Sequence, residues 1–441
     1  MPDLPLVTAD EAAALVRDAD TLGIPLGPGQ PVAFLHALGE RSSFEDLVVF
    51  GALLVDLYPL FLQPGVRLRS GFFGPAERFL RDSGADVQFV PADFRRFSSI
   101  ARRFAPRVVA TAAAPPDESG NLSLSLHAGA TVEEIMRAGH DPDRLLIVEV
   151  NPRLPRTLGL PPELPHAIPA ALADVIIESD REPFVLADPE PTAIEQAIAR
   201  HVATFIRDGA TLQTGIGGVP SMVARLLAEG PGGDYGVHSE MFTTGLMHLH
   251  RAGKVTNLRK GIHEGYSVCT FAAGTRELYD WLDDNPDVRF VPVEHVNEPQ
   301  VIAANNDMVT INGAITVDLA GQIAADTVAG RQYSGIGGHA DFVAGASIGF
   351  DDRSVVCLPA TATVGDQTRS RIVTHLDHGT LVTTPRYHVD VVVTEYGSAE
   401  LLGKTVHERA LALAEIAHPD FRDDLRESAS RLGLGAAPAP T

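Results

Sequence analysis

The sequence is poor in cysteine and in long apolar runs, and each shortage excludes a class of protein. Its 441 residues contain only two cysteines, Cys269 and Cys357. Neither has a second cysteine or a histidine at zinc-binding spacing, so neither a disulfide framework nor a structural metal site is predicted. No stretch approaches the ~18 consecutive apolar residues of a membrane helix. We therefore expect a globular protein without a metal centre, and a reducing compartment suits its two cysteines.

Basic residues are scarce as well, which argues against a nucleic-acid partner. The chain carries 57 acidic and 35 basic side chains, a formal charge of −22, and only three of the basic residues are lysines. A nucleic-acid-binding protein needs a basic stripe that neutralises phosphates, and this sequence has none. The N-terminal segment also lacks the basic region and apolar core of a signal peptide. We expect a cytoplasmic protein that binds neither nucleic acid nor membranes and begins with a helix capped by Thr8 or Asp10.

The two halves of the chain share a pattern. Residues 18–22 resemble 208–212, residues 89–91 resemble 290–292, and further echoes follow in the same order. Short β-rich apolar runs, typical of strands buried on both faces, alternate with helical patterns: RVVATAAA, LLIVEVN, ADVIIES, MVTINGAI, SVVCLPA and VDVVVTE. The sequence therefore predicts two related open α/β domains with mostly parallel sheets, over 1–187 and 188–428, and a flexible tail over 429–441.

A glycine-rich loop in the second half is the strongest local signal for a ligand site. The segment runs Thr214-Gly215-Ile216-Gly217-Gly218-Val219-Pro220, between a predicted strand and an amphipathic helix. Glycines let a ligand approach the backbone, and the free N–H groups at a helix start attract an anion. We interpret the loop as a seat for a phosphate or pyrophosphate. A plain strand-to-helix turn is one alternative. A dinucleotide-binding loop is another, although Pro220 stands where that fingerprint has its third glycine.

Glu240 and a second glycine-rich loop are further candidates for chemistry. Glu240 ends a short apolar stretch, and the position 189 residues earlier, in the first half, is Gly51. A carboxylate that only one half possesses is not required to build the fold, although an exposed or capping acid is the alternative. The second loop, Ser334-Gly335-Ile336-Gly337-Gly338, offers consecutive N–H groups that could line an oxyanion hole, or it could form a bulged turn.

Together these segments resemble the acetyl-CoA hydrolase/transferase family of CoA-transferases. The pattern is most similar to that of the 4-hydroxybutyrate and butyrate:acetate CoA-transferases. The resemblance covers nearly the whole chain and rests on motifs in residues 215–220, 238–241, 296–299, 315–319 and 334–338, with further matches in 151–157, 382–386, 393–397 and 416–421.

The resemblance implies a pair of related α/β domains with the active site between them and a ping-pong reaction. Glu240 would attack an acyl-CoA, form an acyl-glutamyl anhydride and then hold coenzyme A as a glutamyl-CoA thioester. Asn297 and Glu395 match positions close to the reacting carboxyls, and the N–H of Gly338 matches an oxyanion contact that also touches coenzyme A. The other implied contacts to coenzyme A are Gly215, Ile216, Gly217, Gly218, Val219 and Ile315. Coenzyme A is then a substrate rather than a permanently bound cofactor, and a homodimer is implied.

Two departures from the family pattern leave the acyl pocket undefined. His339 stands where the family often has glutamine and could add a titratable group, and Thr244 stands where it often has aspartate. Two other functions stay open: an acyl-CoA hydrolase that uses the same glutamate, and a CoA-binding protein without catalysis. Because a protein at −22 repels anionic coenzyme A at long range, we expect a basic cluster to attract it: Arg251, Lys254, Arg259 and Lys260.

Overall fold

The structure, a computed structural model, describes residues 6–41, 43–127 and 129–431. These residues form two compact units. Unit 1 holds the described residues up to Ala187 together with Glu240–Phe242 and Ser267–Glu298. Unit 2 holds Asp188–Ser239, Thr243–Tyr266 and the described residues from Pro299 onward. The chain therefore passes from unit 2 into unit 1 at Glu240 and returns at Thr243.

Unit 1 begins with alternating strands and helices. The strands of its first stretch are β1 Leu6–Val7, β2 Ala19–Leu26, β3 Asp46–Ala52, β4 Val66–Ser70, β5 Asp86–Phe89, β6 Val108–Ala113, β7 Asn121–Ser123, β8 Leu145–Val150, β9 Ala167–Pro169 and β10 Val175–Glu178. The helices are α1 Ala9–Ala14, α2 Val32–Gly39, α3 Pro75–Asp82, α4 Phe97–Phe104 and α5 Val132–His140. Single turns of 3₁₀ helix are formed by Gly27–Gly29, Pro59–Leu62, Phe94–Arg96 and Ala170–Leu172. Thr8 caps α1, as predicted, and its hydroxyl accepts the N–H of Glu11 at 3.2 Å.

The main sheet of unit 1 has eight strands in the order β1-β10-β8-β6-β2-β3-β4-β5. Every neighbouring pair in it is parallel. The apolar run of β6 is buried along its whole length, which is typical of a strand covered by helices on both faces. The parallel α/β architecture predicted from these runs is confirmed for this unit.

The next part of the chain contributes to both units. Unit 2 receives α6 Ala193–Ala203, β11 Thr211–Thr214, α7 Gly218–Glu229, β12 Gly236–Val237 and α8 Thr244–Arg251. Unit 1 receives β13 Met241–Phe242, β14 Ser267–Cys269, β15 Phe271–Ala272, α9 Arg276–Leu282, β16 Val288–Phe290 and α10 Val293–Val296. In unit 1, β13 pairs with β15 and β14 with β16, both in parallel.

From Pro299 onward the chain completes unit 2. The strands are β17 Met308–Gly313, β18 Thr316–Asp318, β19 Ile323–Ala324, β20 Thr327–Val328, β21 Arg331–Gln332, β22 Arg353–Cys357, β23 Thr361–Val364, β24 Gln367–Ser370, β25 Ile372–Val373, β26 Val391–Thr394 and β27 Gly397–Glu400. The helices are α11 Pro299–Ile302, α12 His339–Ala346, α13 Val406–Glu415 and α14 Pro419–Arg431. Helix α14 reaches the first residues of the predicted tail, and the rest of that tail lies outside the described residues.

The main sheet of unit 2 has six strands in the order β12-β11-β17-β22-β26-β27. All neighbours are parallel except β26 and β27, which form an antiparallel edge. The predicted apolar runs of β17, β22 and β26 supply its centre, so the α/β prediction is confirmed here too. Parallel strands end at one edge of a sheet, and ligands of such sheets bind at that carboxyl edge.

Two features of the fold bear on expectations from composition. Cys269 and Cys357 are both buried and are not joined by a disulfide bond. Among the described helices, none is long and apolar enough to cross a bilayer.

Candidate active site

Glu240 lies in a bend between β12 of unit 2 and β13 of unit 1. Its backbone carbonyl accepts the N–H groups of Thr270 at 2.9 Å and Phe271 at 3.2 Å. Met241 and Phe242 then pair with Phe271 and Ala272 in the β13–β15 ladder. The side chain of Glu240 is partly exposed. Its backbone is thus fixed while its carboxylate remains accessible.

Two apolar contacts hold the strand that follows Glu240. Phe242 is fully buried and stacks on Trp281, with ring centroids 5.8 Å apart and an interplanar angle of 17°. Met241 packs against the apolar cluster of unit 1 that contains Phe94 and Phe271. An aromatic pair of this kind contributes about 0.5–1.5 kcal/mol beyond the area that it buries. The backbone that carries the Glu240 carboxylate is therefore continuous with a well-packed strand.

Asn297 holds the carboxylate of Glu240 directly. Its Nδ2 donates to Oε2 of Glu240 at 2.7 Å, and Asn297 itself is completely buried. Asn297 ends α10, where its backbone N–H donates to the carbonyl of Val293 at 2.9 Å. A hydrogen bond to an ionised oxygen is among the stronger kinds and fixes the orientation of the carboxylate. The structure thus shows a direct hydrogen bond between two residues that the resemblance placed near the reacting carboxyls.

The first glycine-rich loop connects β11 with α7 at the carboxyl edge of the six-stranded sheet. Gly217 caps α7 with φ +117°, a conformation that residues with a Cβ rarely adopt, which explains the glycine there. A Cβ built on Gly215 or Gly217 would meet nothing within 4 Å. Ile216 is 54% exposed. Within the described residues, the N–H groups of Gly217 and Gly218 have no acceptor. The loop is therefore an open helix start with backbone donors, and its role as a seat for an anion stays a prediction.

Ser239 connects this loop to the segment of Glu240. Its Oγ donates to the carbonyl of Thr214 at 3.1 Å and accepts the N–H of Thr214 at 3.4 Å. Ser239 is fully buried. Thr214 is the last residue of β11, immediately before the glycines, and Ser239 immediately precedes Glu240 in the chain. The sequence motif of residues 238–241 includes Ser239, but its contact with Thr214 becomes visible only when the two distant segments pair.

The other predicted residues of unit 2 lie at the same carboxyl edge. Ile315 follows β17, and its N–H donates to the carbonyl of Ala324 at 2.9 Å. Glu395 follows β26, and its Oε2 accepts the N–H of Ala360 at 2.8 Å. Gly338 caps α12, which packs on β17 and β22. The N–H of Gly338 has no acceptor among the described residues, so this donor is available to a ligand. The helix start at this loop was not predicted.

His339 is buried rather than exposed to a ligand pocket. Its Nε2 lies 2.7 Å from Oγ1 of Thr384, and the carbonyl of Gly313 also bonds to its ring. Burial lowers the pKa of His339 to about 4, although Asp326 and the Gly313 carbonyl favour the protonated form. The ring is therefore neutral near pH 7 and does not supply the titratable group that the sequence analysis considered. Its contact with Gly313 fixes the start of α12 at the end of β17.

Replacing His339 by glutamine should change how stability depends on pH. Because the folded pKa of about 4 lies below the unfolded value of 6.5, stability is lost as the pH falls through this interval. The unfolding free energy of the wild type, relative to H339Q, should therefore drop by about 2 kcal/mol between pH 7 and pH 5. Urea unfolding at several pH values measures this difference. Parallel pH dependences of the two proteins would contradict it, and H248Q, at an exposed position of α8, is the control.

The prediction that Lys260 belongs to an exposed basic cluster is wrong, and Lys254 is only partly exposed. Lys260 is completely buried, and its Nζ donates to the carbonyls of Val237 and Tyr266 at 2.8 Å each. Lys254 is half-buried and donates to the carbonyls of Gly230 and Gly232. Both ammonium groups therefore tie loops together. Sequence spacing could not distinguish this role from a surface charge.

Comparison with known proteins identifies relatives along the whole chain. The family model of the acetyl-CoA hydrolase/transferase C-terminal domain matches residues 274–429. A succinyl-CoA:cyclohexane-1-carboxylate CoA transferase of Geobacter metallireducens is 38% identical over 96% of this chain and 94% of its own. A 4-hydroxybutyrate coenzyme A transferase of Clostridium kluyveri is 35% identical over 95% of this chain and 96% of its own. A probable butyrate:acetyl-CoA coenzyme A-transferase of Syntrophomonas wolfei is 41% identical over 97% of this chain and 96% of its own.

Solved structures give the same result. RipA from Yersinia pestis superimposes with a TM-score of 0.89 at 32% identity and covers 98% of both chains. A 4-hydroxybutyrate CoA-transferase from Porphyromonas gingivalis superimposes with a TM-score of 0.78 at 31% identity, over 97% of this chain and 98% of its own.

Among the sequence relatives, proteins named for hydrolysis are more distant: an acetyl-CoA hydrolase of Schizosaccharomyces pombe is 25% identical over 70% of this chain and 63% of its own.

Proposed function

Since the chain belongs to the acetyl-CoA hydrolase/transferase family and is a CoA-transferase, we propose that Glu240 carries coenzyme A between an acyl-CoA and a free carboxylic acid. The observation that supports this role most directly is the 2.7 Å hydrogen bond from Asn297 to the Glu240 carboxylate. A buried donor keeps the carboxylate oriented, and an oriented carboxylate is what nucleophilic attack on a thioester requires.

The proposed reaction conserves the thioester in four steps. An oxygen of Glu240 attacks the acyl carbonyl carbon, the C–S bond breaks, and an acyl-glutamyl anhydride and coenzyme A thiolate form. The thiolate attacks the glutamyl carbonyl carbon, which forms a glutamyl-CoA thioester and releases the first acid as its carboxylate. An acceptor carboxylate then attacks this thioester and expels the thiolate. The thiolate finally attacks the acceptor's acyl carbon in the new anhydride, so that the new acyl-CoA leaves and the Glu240 carboxylate returns.

Two groups of unit 2 are proposed to assist these steps. The open loop from Gly215 to Val219 would take an anionic part of coenzyme A, and Ile315 would lie against the same substrate. The available N–H of Gly338 would bind the oxyanion that develops when a thioester is attacked. Loss of one such donor costs roughly 10²- to 10³-fold in turnover in other enzymes. Coenzyme A acts here as a substrate, and no permanently bound cofactor enters the proposal.

The acids are proposed to be small carboxylates of the kinds for which the relatives are named. Those names include succinyl-CoA, cyclohexane-1-carboxylate, 4-hydroxybutyrate and butyrate. A difference of one methylene or hydroxyl in a small pocket changes discrimination only through the placement of individual side chains. A matrix of acyl-CoA donors against these acids and acetate would identify the preferred pair. Homodimerisation and a cytoplasmic location stay predictions from the resemblance and the sequence.

One kinetic comparison separates the transferase from a hydrolase that uses the same glutamate. Loss of acyl-CoA is measured with and without an added carboxylic acid, and the new acyl-CoA is quantified at the same time. We expect rapid exchange only when the acid is present. Loss of acyl-CoA at a comparable rate without the acid would overturn the transferase proposal, because water would then be the acceptor.

Replacing Gly215 by leucine should weaken the binding of acyl-CoA. The added side chain meets no protein atom near its Cβ, so the fold tolerates it, yet it enters the space proposed for coenzyme A. We expect the KM for acyl-CoA to rise about tenfold or more, because the backbone is no longer approachable. G233L is the matched control, since a Cβ there makes only an ordinary 3.7 Å contact with Lys254. An unchanged KM in G215L would count against the loop as the CoA seat.

A further inference from the structure

An arginine that the proposed reaction has not used, Arg371, lies over the carboxyl edge of the six-stranded sheet of unit 2. Its N–H donates to the carbonyl of Ala360 at 2.9 Å, and its carbonyl accepts the N–H of Val317 at 2.9 Å. Ala360 lies just beyond the end of β22, and Val317 belongs to β18, two residues after Ile315. The backbone of Arg371 is therefore anchored on both sides beside the predicted CoA contact.

Glu395 is its neighbour at this edge. The carboxylate of Glu395 accepts the N–H of Ala360 at 2.8 Å, while the carbonyl of Ala360 accepts the N–H of Arg371. Ala360 thus links the carboxylate of Glu395 to the backbone of Arg371. The attraction of Glu395 favours the charged form of Arg371, and Tyr333, just before the second glycine loop, also interacts with it. Arg371 therefore shares its surroundings with two segments of the proposed site.

The guanidinium of Arg371 makes no polar contact that stabilises the described part of the chain. Within the described part of the chain it forms no hydrogen bond or ion pair, although the residue is half-buried. Arg353 of the same unit shows the contrast, because it pairs with Asp390 at 2.8 Å and Glu400 at 2.9 Å. Burial lowers the pKa of Arg371, because partial removal from water disfavours the charged guanidinium. An arginine always keeps its charge, and its fork of donors matches a carboxylate or phosphate.

We propose that Arg371 binds a carboxylate of the acid substrate, an inference that rests on the proposed transfer reaction. The acceptor is an anion that must enter a protein with a formal charge of −22, so a local positive group is needed. A phosphate of coenzyme A is the other anion available. Glu395 disfavours it, because the 3′-phosphate and the pyrophosphate each carry a charge near −2 and are repelled about twice as strongly as a carboxylate. The forked donors of Arg371 would also orient the acid, in addition to attracting it.

The test compares R371Q and R371K with R369Q, which removes the same charge from an exposed position two residues away on β24. Initial rates are measured with acetate, butyrate and succinate as acceptors, and the Kd of free coenzyme A is measured by calorimetry. We expect the KM for the acid to rise about ten- to a hundredfold in R371Q, with a smaller change in kcat and an unchanged Kd for coenzyme A. R371K should show a smaller rise in KM, since lysine keeps the charge but loses the fork.

Each outcome decides the proposal. A rise with all three acids assigns Arg371 to the reacting carboxylate, and a rise with succinate alone assigns it to the distal one. A weaker Kd for coenzyme A with unchanged acid KM assigns the arginine to a phosphate and overturns the proposal. Acid KM values in R371Q equal to those of R369Q overturn it as well. If R371Q does not fold, R371K decides: a rise of about threefold or more supports the carboxylate site, and an unchanged KM refutes it.

A failure of this inference is distinguishable from a failure of the proposed function. The first half-reaction, with acyl-CoA and no acceptor, should still form the covalent adduct on Glu240 in the wild type. If the wild type forms that adduct and transfers coenzyme A while R371Q behaves like R369Q, only the role of Arg371 is wrong. If the wild type forms no adduct, the reaction on Glu240 is wrong as well.

Discussion

Replacing Glu240 by alanine or glutamine is expected to abolish CoA transfer and to leave the fold intact. The nucleophile forms a covalent bond to the acyl group and then to coenzyme A, and neither alanine nor glutamine offers the carboxylate that this requires. Loss of a covalent nucleophile costs several orders of magnitude in kcat, so we expect a fall of at least about a thousandfold. The fold should persist because Glu240 is partly exposed, and because its structural contacts to Thr270 and Phe271 are made by its backbone.

Intact mass and circular dichroism complete this test. After treatment with acyl-CoA, the wild type should carry coenzyme A on Glu240, and borohydride should reduce that thioester to an alcohol. E240Q should show neither product. E229Q serves as control, because Glu229 pairs with Arg225 on the exposed end of α7 and has no part in the reaction. Residual activity of E240A above about 1% of the wild type would contradict the assignment, as would an adduct on any other residue.

Much of the fold could be predicted because burial leaves a plain signature in the sequence. The runs that became β6, β8, β17, β22 and β26 are continuous and rich in β-branched residues, and both faces of such strands are covered in a parallel sheet. Glycines and Pro220 likewise marked the start of α7. The start of α12 after Gly338 was missed, because a glycine loop alone is compatible with several turns. The duplication stays a prediction.

The site was predicted in part, and what was missed depends on pairing between distant segments. Glu240 and Asn297 are 57 residues apart in sequence, and only the folded chain shows that one donates to the other. Ser239 belongs to the motif of residues 238–241, but its contact with Thr214 was not predictable, and Arg371 lies in no motif. Lys260 failed as a surface cation because a lysine beside exposed residues can still turn inward when backbone carbonyls receive it. Side-chain direction, rather than residue type, is what the sequence could not supply.

Replacing Asn297 by alanine should slow transfer about a hundredfold. The variant loses the Nδ2 donor that lies 2.7 Å from Oε2 of Glu240, and with it the fixed orientation of the carboxylate. A charge-assisted hydrogen bond contributes about 1.5–3 kcal/mol, which corresponds to roughly ten- to a hundredfold in rate, and misplacement of the nucleophile adds to that loss. The adduct on Glu240 should still form in N297A, only more slowly, because the nucleophile itself is present.

The aspartate variant gives this prediction a pH signature. In N297D a second carboxyl group occupies the place of the amide, and two carboxylates at hydrogen-bond distance share one proton rather than ionise together. The nucleophile is then partly protonated, so N297D should be slower than N297A at pH 6 and should recover as the pH rises. Asn285, whose Nδ2 donates to the carbonyl of Trp281 at 3.0 Å, provides the control N285A in the same unit. Pre-steady-state adduct formation measured from pH 6 to pH 9 tests this. If N297D has the same pH profile as the wild type, the amide does not act on the Glu240 carboxylate during the reaction.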